Sequence, residues 1–420
     1  MKRKLVIITG KYPYANGEAF LSNELQFVPD NFDEIILLPM LVYEDSSSLE
    51  WKYVKLRDNR LKIVLCNDFK QKKKLFIALF KTILSADFYS EIMRLFHSGQ
   101  ANVEKMKTLL LFAMRCNHAA EAMSKFIGKD DTVTLYAYWM DYSAYTACLI
   151  KRKHSIEVCK AVSRCHRGDL YETAARGQFL PMRKQIFEEL DTIYSISEDG
   201  VSYIHNQYLT YHPNVKISRL GTYDKGTNFT FDEKVLHIVS CSWVRPVKRV
   251  HLIAEALKNI KVPVIWTHYG NGSEFEKLKE VVSGITNPNV QCILKGETRN
   301  ELVLKAYNEE TYEIFINVSE NEGVPVSIME AMSFGKIIVA TDVGGTRELI
   351  ETGKNGYLLE KDFDVNELTE LLENVYNTSI ENRRKMALRS REIWEEKYCA
   401  TDNYLRFYYD LCRGENECIG

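Results

Sequence analysis

The sequence predicts an α/β protein built from two doubly wound parallel sheets. Short apolar runs alternate with longer helical patterns, and this alternation occurs in both halves of the chain. The runs are continuously apolar or β-branched, which is typical of strands that are buried on both faces of a parallel sheet. A chain of 420 residues also exceeds what one hydrophobic core usually serves, so two domains are expected.

Thirteen segments are predicted as strands. In the first half of the chain they are residues 5–9, 35–39, 63–66, 134–138, 160–164, 192–197 and 216–220. In the second half they are residues 236–242, 262–269, 290–294, 314–319, 337–342 and 357–360.

The domain boundaries follow from breaks in this pattern. Turn-forming residues interrupt it at 223–233, so one domain is predicted over 1–224 and a second over 225–395. Residues 68–129 are predicted as a wholly helical insertion in the first domain. The C-terminal segment, 396–420, is predicted to contain a helix rich in aromatic residues.

Composition excludes several classes of protein. Hydrophobic residues make up 45% and charged residues 27%, as in soluble globular proteins, and the net charge of −2 gives no general attraction to nucleic acid. No apolar run is long enough to span a membrane, and the run before Lys11 is too short for a signal peptide, so a cytoplasmic location is expected. The ten scattered cysteines form no Cys-x-x-Cys pair and are expected to be reduced and structural.

The segment from Ser319 to Ile350 carries the clearest functional signal. Glu322 and Glu330 are separated by seven residues across a loop that enters a helix. Pro325 suits the first helical turn, so the N–H groups of residues 326–328 are expected to be free at the positive helix end, where they can bind an anion. A carboxylate on either side of an anion site matches the layout of a nucleoside diphosphate-sugar.

This segment resembles the Glu-x7-Glu signature of retaining GT-B glycosyltransferases, in particular glycosyltransferase family 4 (glycosyl transferases group 1). The resemblance implies two Rossmann-like domains that face a cleft, with a C-terminal helix that returns to the N-terminal domain. It implies that Glu322 contacts the donor sugar and that Glu330 holds the ribose. It assigns contacts with the sugar and the phosphate to the five residues that follow Glu322, namely Gly323, Val324, Pro325, Val326 and Ser327.

The loop after the strand at 236–242 is expected to bind the donor diphosphate. It reads Trp-Val-Arg-Pro-Val-Lys-Arg from Trp243, and Lys248 aligns with the phosphate-binding lysine of the resembled family. The arginine usual in that family is replaced by Trp243. Arg245, or less readily Arg249, is expected to reach the same oxygens.

Further donor contacts are predicted from glycine-containing loops. Gly270 and Gly272 match a Gly-x-Gly of the family, although they could simply form the turn into the next helix. Gly296 and Glu297 lie in the loop that usually contacts the nucleobase through its backbone. Gly344 and Gly345 are expected to permit close packing of their turn beneath the pocket.

The acceptor side is predicted from the first half of the chain. Gly17, in the loop after the first strand, would let the backbone approach a ligand. The stretch from Ser163 to Tyr171 resembles a pattern of bacterial capsule and exopolysaccharide transferases, in which the histidine lies near the reacting sugar. Arg164, His166 and Asp169 are therefore acceptor candidates, and a second loop adds an aromatic surface formed by Tyr138 and Trp139.

Together these motifs predict a retaining transferase that moves a sugar from a nucleotide-sugar, with a UDP-sugar as the expected donor, to a glycan or lipid-linked acceptor in cell-surface polysaccharide or glycoconjugate synthesis. Lys248 would stabilise the leaving diphosphate, Glu322 would position the sugar and His166 would orient its hydroxyls. No metal or other cofactor is expected, because Asp362 and Asp364 are interpreted as the start of a surface helix.

Two alternatives are weighed against this function. A catalytically weak nucleotide-sugar-binding subunit of another glycosyltransferase stays open because of Trp243. A dinucleotide oxidoreductase is disfavoured, since the turn after the first strand lacks the Gly-x-Gly-x-x-Gly pattern.

One segment suggests a membrane as a further partner. From Phe69 to Leu84 a cluster of lysines adjoins an apolar helical face, and such a helix can lie on an anionic bilayer at the inner face of the membrane. The alternative is a solvated lysine run followed by a helix that packs only on its own domain.

Overall fold

The computed structural model describes residues 2–15, 17–44, 49–52, 58–154 and 159–412, apart from the side chains of Ala19 and Arg176. The chain divides into two compact units. Unit 1 holds the residues up to Ser218 and those from Tyr404 onward, and unit 2 holds the residues from Arg219 to Asn403. Each unit is built on an entirely parallel sheet with helices, which confirms the predicted fold class.

The sheet of unit 1 has seven strands in the order β3-β2-β1-β4-β5-β6-β7. Their bounds are β1 Arg3–Thr9, β2 Glu34–Pro39, β3 Leu61–Ile63, β4 Thr132–Ala137, β5 Cys159–Cys165, β6 Thr192–Ser195 and β7 Val215–Ile217. Most residues of the central strands are buried, as expected for a parallel sheet covered on both faces. Because β1, β4 and β5 are neighbours, the loops that follow them lie side by side at one edge of the sheet.

The helices of unit 1 include three in the insertion predicted over 68–129. The bounds are α1 Ala19–Glu24, α2 Lys72–Ile83, α3 Ala86–His97, α4 Val103–Ser124, α5 Tyr142–Lys151, α6 Arg167–Leu170, α7 Arg183–Glu189 and α8 Glu198–Tyr208. The last helix of the chain, α15, is Ala400–Cys412, and its residues from Tyr404 belong to this unit. Here Phe407 and Tyr408 pack on the sheet beside Tyr136 and Tyr194.

The sheet of unit 2 has six strands in the order β10-β9-β8-β11-β12-β13. Their bounds are β8 Leu236–Cys241, β9 Val264–Tyr269, β10 Val290–Gly296, β11 Ile314–Asn317, β12 Ile337–Thr341 and β13 Gly356–Leu359. The helices are α9 His251–Leu257, α10 Phe275–Ser283, α11 Asn300–Glu309, α12 Val326–Ser333, α13 Val365–Asn377 and α14 Ile380–Lys397. The loops after β9, β8, β11 and β12 are consecutive along one sheet edge, which brings the predicted donor loops together.

Each of the thirteen predicted strands overlaps an observed strand, with differences at the ends. The largest difference is at β3, which is Leu61–Ile63 instead of residues 63–66. Val64 and Cys66 are apolar because they pack into the core of unit 1 after the strand has ended. A short 3-10 helix, Asn67–Lys70, then leads into α2.

Candidate functional site

Glu322 lies in unit 2 between β11 and α12, and one of its two carboxylate oxygens has three polar partners. Lys248 Nζ is 2.5 Å from Glu322 Oε1, the Ser319 hydroxyl is 2.6 Å away and Asn317 Nδ2 is 3.2 Å away. The other oxygen, Oε2, has no hydrogen-bond donor among the residues that the structure describes. Glu322 therefore presents one oxygen that can accept a hydrogen bond from a ligand.

Asn317 and Ser319 are positioning residues that the sequence interpretation missed. The Asn317 side-chain oxygen accepts from the Ser319 N–H at 3.0 Å and lies 2.6 Å from its hydroxyl, so the two residues orient each other as well as Glu322. Their only sequence signal is a pair of polar residues at the end of an apolar strand, just before the conspicuous glutamate.

The glycine pair at 344–345 packs closely against the backbone of the Glu322 loop. Gly344 has φ of 53°, and a Cβ added there would lie 2.1 Å from the carbonyl oxygen of Glu322. The Gly345 N–H donates to the carbonyl of Gly323 at 2.8 Å. This close backbone approach confirms the packing role expected of these glycines.

The N-terminus of α12 offers two N–H groups, where three were predicted. The helix begins at Val326 with Pro325 as its N-cap, and the Ile328 N–H donates to the Pro325 carbonyl at 3.1 Å. The prediction that Ile328 is free is therefore wrong, because the first turn tightens into an i to i+3 bond. No acceptor for the N–H of Val326 or Ser327 occurs within the described part of the chain. The preceding Val324 and Pro325 are buried.

Glu330 lies further along α12 and accepts a hydrogen bond from Asn300 Nδ2 at 2.9 Å. Burial raises the pKa of this carboxyl, and the hydrogen bond from Asn300 acts in the opposite direction. Asn300 is exposed at the start of α11, and Glu330 itself is half-buried.

Three cationic side chains follow β8, and two of them form ion pairs or hydrogen bonds within unit 2. Lys248 ends the short 3-10 helix Pro246–Lys248 and pairs with Glu322. Arg249 has φ of 48° and donates from Nε to the carbonyl of Val318 at 2.9 Å, so it supports the end of β11. Arg245 is exposed, and its guanidinium carbon lies 5.3 Å from the centre of the Trp243 ring.

Gly270 and Gly272 hold two neighbouring loops against each other. A Cβ at Gly270 would lie 1.9 Å from the Ser242 carbonyl oxygen, and one at Gly272 would lie 2.3 Å from that of Val244. The Gly270 N–H donates to the Gly296 carbonyl at 2.8 Å. These glycines thus set the position of the loop that carries Trp243 and Arg245, while Glu297 is exposed next to Gly296.

In unit 1, His166 lies between two aromatic rings at the end of β5. Its ring centre is 4.5 Å from that of Trp139 and 5.1 Å from that of Tyr138. Both ring nitrogens are buried without a hydrogen-bond partner among the described residues. Trp139 is half-buried and Tyr138 is buried, so Trp139 and His166 form the more accessible part of this predicted acceptor surface.

Asp169 makes internal contacts with both of its carboxylate oxygens. One accepts from the His166 N–H and the other from the Met140 N–H, each at 2.6 Å. Arg183 donates to the backbone carbonyls of Met140 and Asp169. Asp169, predicted as an acceptor contact, is thus placed to fix the position of His166 relative to the loop after β4.

Arg164 does not fit its predicted contact with the acceptor, because its side chain is 0% exposed. Arg164 Nη1 pairs with Glu24 Oε2 at 2.9 Å, and the guanidinium lies over the ring of Phe407 at 4.5 Å. A charged residue at a strand end suggests a ligand contact in the sequence, but this one is neutralised within the core.

Glu18 organises the first loop of unit 1 and was not among the predicted site residues. Its carboxylate accepts from the N–H groups of Gly10 at 2.8 Å, Lys11 at 2.8 Å and Tyr12 at 2.7 Å. The Trp139 indole N–H is a fourth donor, also at 2.8 Å. Glu18 therefore connects the loop that contains Gly17 to the surface formed by Trp139 and His166. Gly17 itself has φ of 121°, and no atom of the described residues lies within 4 Å of where its Cβ would be.

Other predicted features have simple structural explanations. Asp364 is the N-cap of α13, as the surface-helix interpretation predicts, and accepts from the Asn366 N–H at 2.8 Å. No group of three or more metal-ligating side chains that could hold a metal occurs among the described residues. Within the same residues, no helix combines the length and the apolar character needed to cross a bilayer.

Two Rossmann-like units in one chain, each built on a parallel sheet, are the architecture of the GT-B class of fold. A solved structure of a lipopolysaccharide outer core galactosyltransferase in its apo form aligns with 97% of this chain and 98% of its own, with a TM-score of 0.68 and 15% identity. At this identity the likeness shows the fold alone. Residues 227–393, which lie within unit 2, match the family model of glycosyl transferases group 1.

Curated relatives match over parts of their length. The GtfA subunit of a UDP-N-acetylglucosamine–peptide N-acetylglucosaminyltransferase from Streptococcus pneumoniae is 25% identical over 162 residues, which are 38% of this chain and 31% of that protein. An O-antigen biosynthesis glycosyltransferase from Escherichia coli is 33% identical over 168 residues, which are 40% of this chain and 44% of that protein. The chain thus spans less than half the length of either relative.

Proposed function

We propose that this protein is a glycosyltransferase that moves a sugar, with retention of configuration, from a nucleotide-sugar to a glycan or lipid-linked acceptor in cell-surface polysaccharide or glycoconjugate synthesis. The observation that carries the proposal is the arrangement at α12, where Glu322 and Lys248 adjoin the free N–H groups of Val326 and Ser327 within a group 1 glycosyltransferase domain. A UDP-sugar is the donor we favour, since the streptococcal relative is named for one.

Different residues of unit 2 would bind different parts of the donor. Glu322 would accept a sugar hydroxyl through Oε2, and Glu330 would accept hydrogen bonds from the ribose. Lys248 and the two N–H groups would stabilise the negative charge that grows on the diphosphate as the bond from the anomeric carbon to the phosphate oxygen breaks. Because these protein groups supply positive charge, we propose that no metal is required.

In the proposed reaction the acceptor oxygen bonds to the anomeric carbon on the face that the diphosphate leaves. The acceptor hydroxyl proton passes to the departing phosphate oxygen, so atoms and charge balance without a protein nucleophile. Unit 1 would supply the acceptor contacts, with His166 and Trp139 at the end of adjacent strands β5 and β4.

The test is release of UDP from a panel of UDP-sugars by the purified protein, with GDP- and ADP-sugars as further arms. Glu322→Gln should lower the rate roughly 100-fold, since a group that acts on the developing transition state is removed. Glu320→Gln, a change of the same kind at an exposed neighbour, is the matched control and should leave the rate unchanged.

Three outcomes would contradict parts of this proposal. A protein that binds a nucleotide-sugar but releases no nucleotide, with any acceptor offered, would be a binding subunit instead. An inverted anomeric configuration in the product, read by NMR, would overturn the retaining mechanism. Loss of activity in EDTA that Mg²⁺ or Mn²⁺ restores would overturn metal independence.

The proposal also places the protein at a membrane surface on the cytoplasmic side through α2. Phe76, Phe80 and Leu84 are 68%, 56% and 67% exposed, and they recur at intervals of four residues on one side of the helix. The opposite side packs on unit 1 through Ala78 and Thr82. Lysines 72 and 73 are exposed beside the outward apolar side chains, which suits an anionic bilayer.

Cosedimentation with vesicles tests this contact. The protein should bind vesicles that contain phosphatidylglycerol more tightly than vesicles of phosphatidylcholine alone, and Phe76→Ser with Phe80→Ser should abolish the binding. Leu388→Ser removes an exposed apolar side chain from unit 2 and is the control. Equal binding by the double variant and the wild type would contradict the assignment of α2.

A further inference from the structure

The loop after β8 contains one cation without an anionic partner in the described structure. Lys248 pairs with Glu322 at 2.5 Å, and the Arg249 guanidinium lies 3.9 Å from Asp362 Oδ1 and donates to the backbone carbonyls of Val318 and Ser319. Arg245 forms no ion pair with any described residue. Arg245 could therefore bind an incoming diphosphate without first breaking an ion pair within the protein.

Trp243 lies beneath that guanidinium. The Arg245 guanidinium carbon is 5.3 Å from the centre of the indole, within the range of a cation–π contact, and 54% of Trp243 is exposed. Stacking on a ring face leaves the N–H groups at the edge of the guanidinium available, and these are the groups that bind phosphate oxygens in pairs.

The backbone between the two side chains is fixed. Val244 is 3% exposed, its N–H donates to the Asn271 carbonyl at 3.0 Å, and its carbonyl accepts from the Glu274 N–H at 3.0 Å. The Arg245 carbonyl accepts from the Lys248 N–H at 2.9 Å. Trp243 and Arg245 therefore project from an anchored segment, which limits the positions that the guanidinium can take.

We infer that Trp243 is a positioning residue that holds Arg245 as the diphosphate-binding guanidinium of the donor site. Trp243 stands where the resembled family has an arginine. Arg245, two residues later, would take over the contact with the diphosphate, and the indole of Trp243 would hold it in place. This inference rests on the proposed function, since it assumes a nucleoside diphosphate in unit 2.

The experiment measures the dissociation constants of UDP and UMP by calorimetry, with GDP and ADP as alternative diphosphates. Arg245→Ala should weaken UDP binding about 10- to 100-fold, as expected when a hydrogen-bonded charge is lost, and should affect UMP much less. Trp243→Ala should weaken UDP about 2- to 5-fold, the range of an exposed cation–π contact, and Trp243→Phe should restore part of the loss.

A double-mutant cycle separates positioning from direct contact. In the Arg245→Ala background, Trp243→Ala should have no further effect on UDP binding, because the guanidinium that it holds is gone. Arg384→Ala is the matched control, since it removes an exposed guanidinium that lies 6.0 Å from the Phe231 ring in the same unit. It should leave UDP binding unchanged.

The outcomes distinguish this inference from the proposed function. If the wild type binds UDP and Arg245→Ala binds it equally well, the inference is overturned while the proposed function stands. If Trp243→Ala weakens UMP as much as UDP, or still weakens UDP without Arg245, the indole contacts the nucleotide itself and the positioning role is wrong. If the wild type binds none of the nucleotides, the proposed function fails and the inference fails with it.

Discussion

At the scale of single residues, Glu18 shows how one buried carboxylate can determine the shape of a loop. It is 5% exposed and accepts from three successive backbone N–H groups and one indole. A carboxylate supplies two acceptor oxygens, whereas the amide of glutamine supplies one together with an NH2 group that can only donate.

We predict that Glu18→Gln destabilises the protein by about 2 to 3 kcal/mol, because buried N–H groups lose their acceptor. The emission of Trp139 should also change, since its indole N–H loses its partner. Urea denaturation followed by fluorescence measures both effects. Glu188→Gln, at an exposed position on α7, is the control, and an equally small change in both variants would contradict the role of Glu18.

A second residue, His268, makes the stability of unit 2 depend on pH. It is 0% exposed in β9, its Nδ1 lies 2.8 Å from the Ser240 hydroxyl, and that hydroxyl accepts from the Trp266 indole N–H at 2.9 Å. The Ser240 hydroxyl still has its own proton and a second lone pair, so it can form a hydrogen bond with Nδ1 of a neutral His268. Burial lowers the pKa of His268 to about 4.

Because this folded-state pKa lies below the usual value of 6.5, the stabilisation is present above pH 6.5 and is lost as the pH falls towards 4. The loss should reach roughly 3 kcal/mol, since one pKa unit corresponds to about 1.4 kcal/mol. The free energy of unfolding measured at several pH values should show this slope in the wild type and not in His268→Gln. The exposed His205→Gln should keep it, and a slope that persists in His268→Gln would exclude His268 as its source.

At the scale of elements, the Glu322 loop depends on the turn after β12. Gly344 and Gly353 both have positive φ, at 53° and 79°, but they differ in their surroundings. A Cβ at Gly344 would lie 2.1 Å from the Glu322 carbonyl oxygen, whereas a Cβ at Gly353 would have no atom within 4 Å in the described part of the chain.

We therefore predict that Gly353→Ala costs about 1 to 2 kcal/mol of stability, the price of a left-handed backbone at a residue with a side chain. Gly344→Ala should cost more and should also displace Glu322, which would lower UDP release at least 10-fold. Thermal unfolding and the release assay measure the two effects. Equal losses in both variants would show that the Glu322 loop does not depend on this close approach.

The elements also show which features a sequence can reveal. The thirteen strands of the described residues were predicted because most of them are buried apolar runs, and the donor loops were located because loops after neighbouring parallel strands share one sheet edge. The contacts of Asn317 and Ser319 were missed, since they depend on the local path of a loop. Arg164 was misassigned because its partner, Glu24, is distant in the sequence and nothing near Arg164 indicates that it is buried.

At the scale of the whole molecule, each unit contains a buried ion pair. In unit 1, Arg164 of β5 pairs with Glu24 at the end of α1. In unit 2, Arg383 of α14 pairs with Glu313, just before β11, and these side chains are 3% and 0% exposed. In both cases the pair joins a helix to the sheet, so the core is built around charges that must be neutralised internally.

The pair in unit 1 offers the sharper test, because both side chains are 0% exposed and the guanidinium also lies over Phe407 of α15. Glu24→Leu and Arg164→Leu should each cost about 3 to 5 kcal/mol, since each leaves one buried charge without its partner. The double variant, Glu24→Leu with Arg164→Leu, should lose much less than the sum of the single losses, because neither charge remains. Chemical denaturation of the four proteins completes the cycle, and strictly additive losses would show that the two side chains stabilise unit 1 by packing and not as an ion pair.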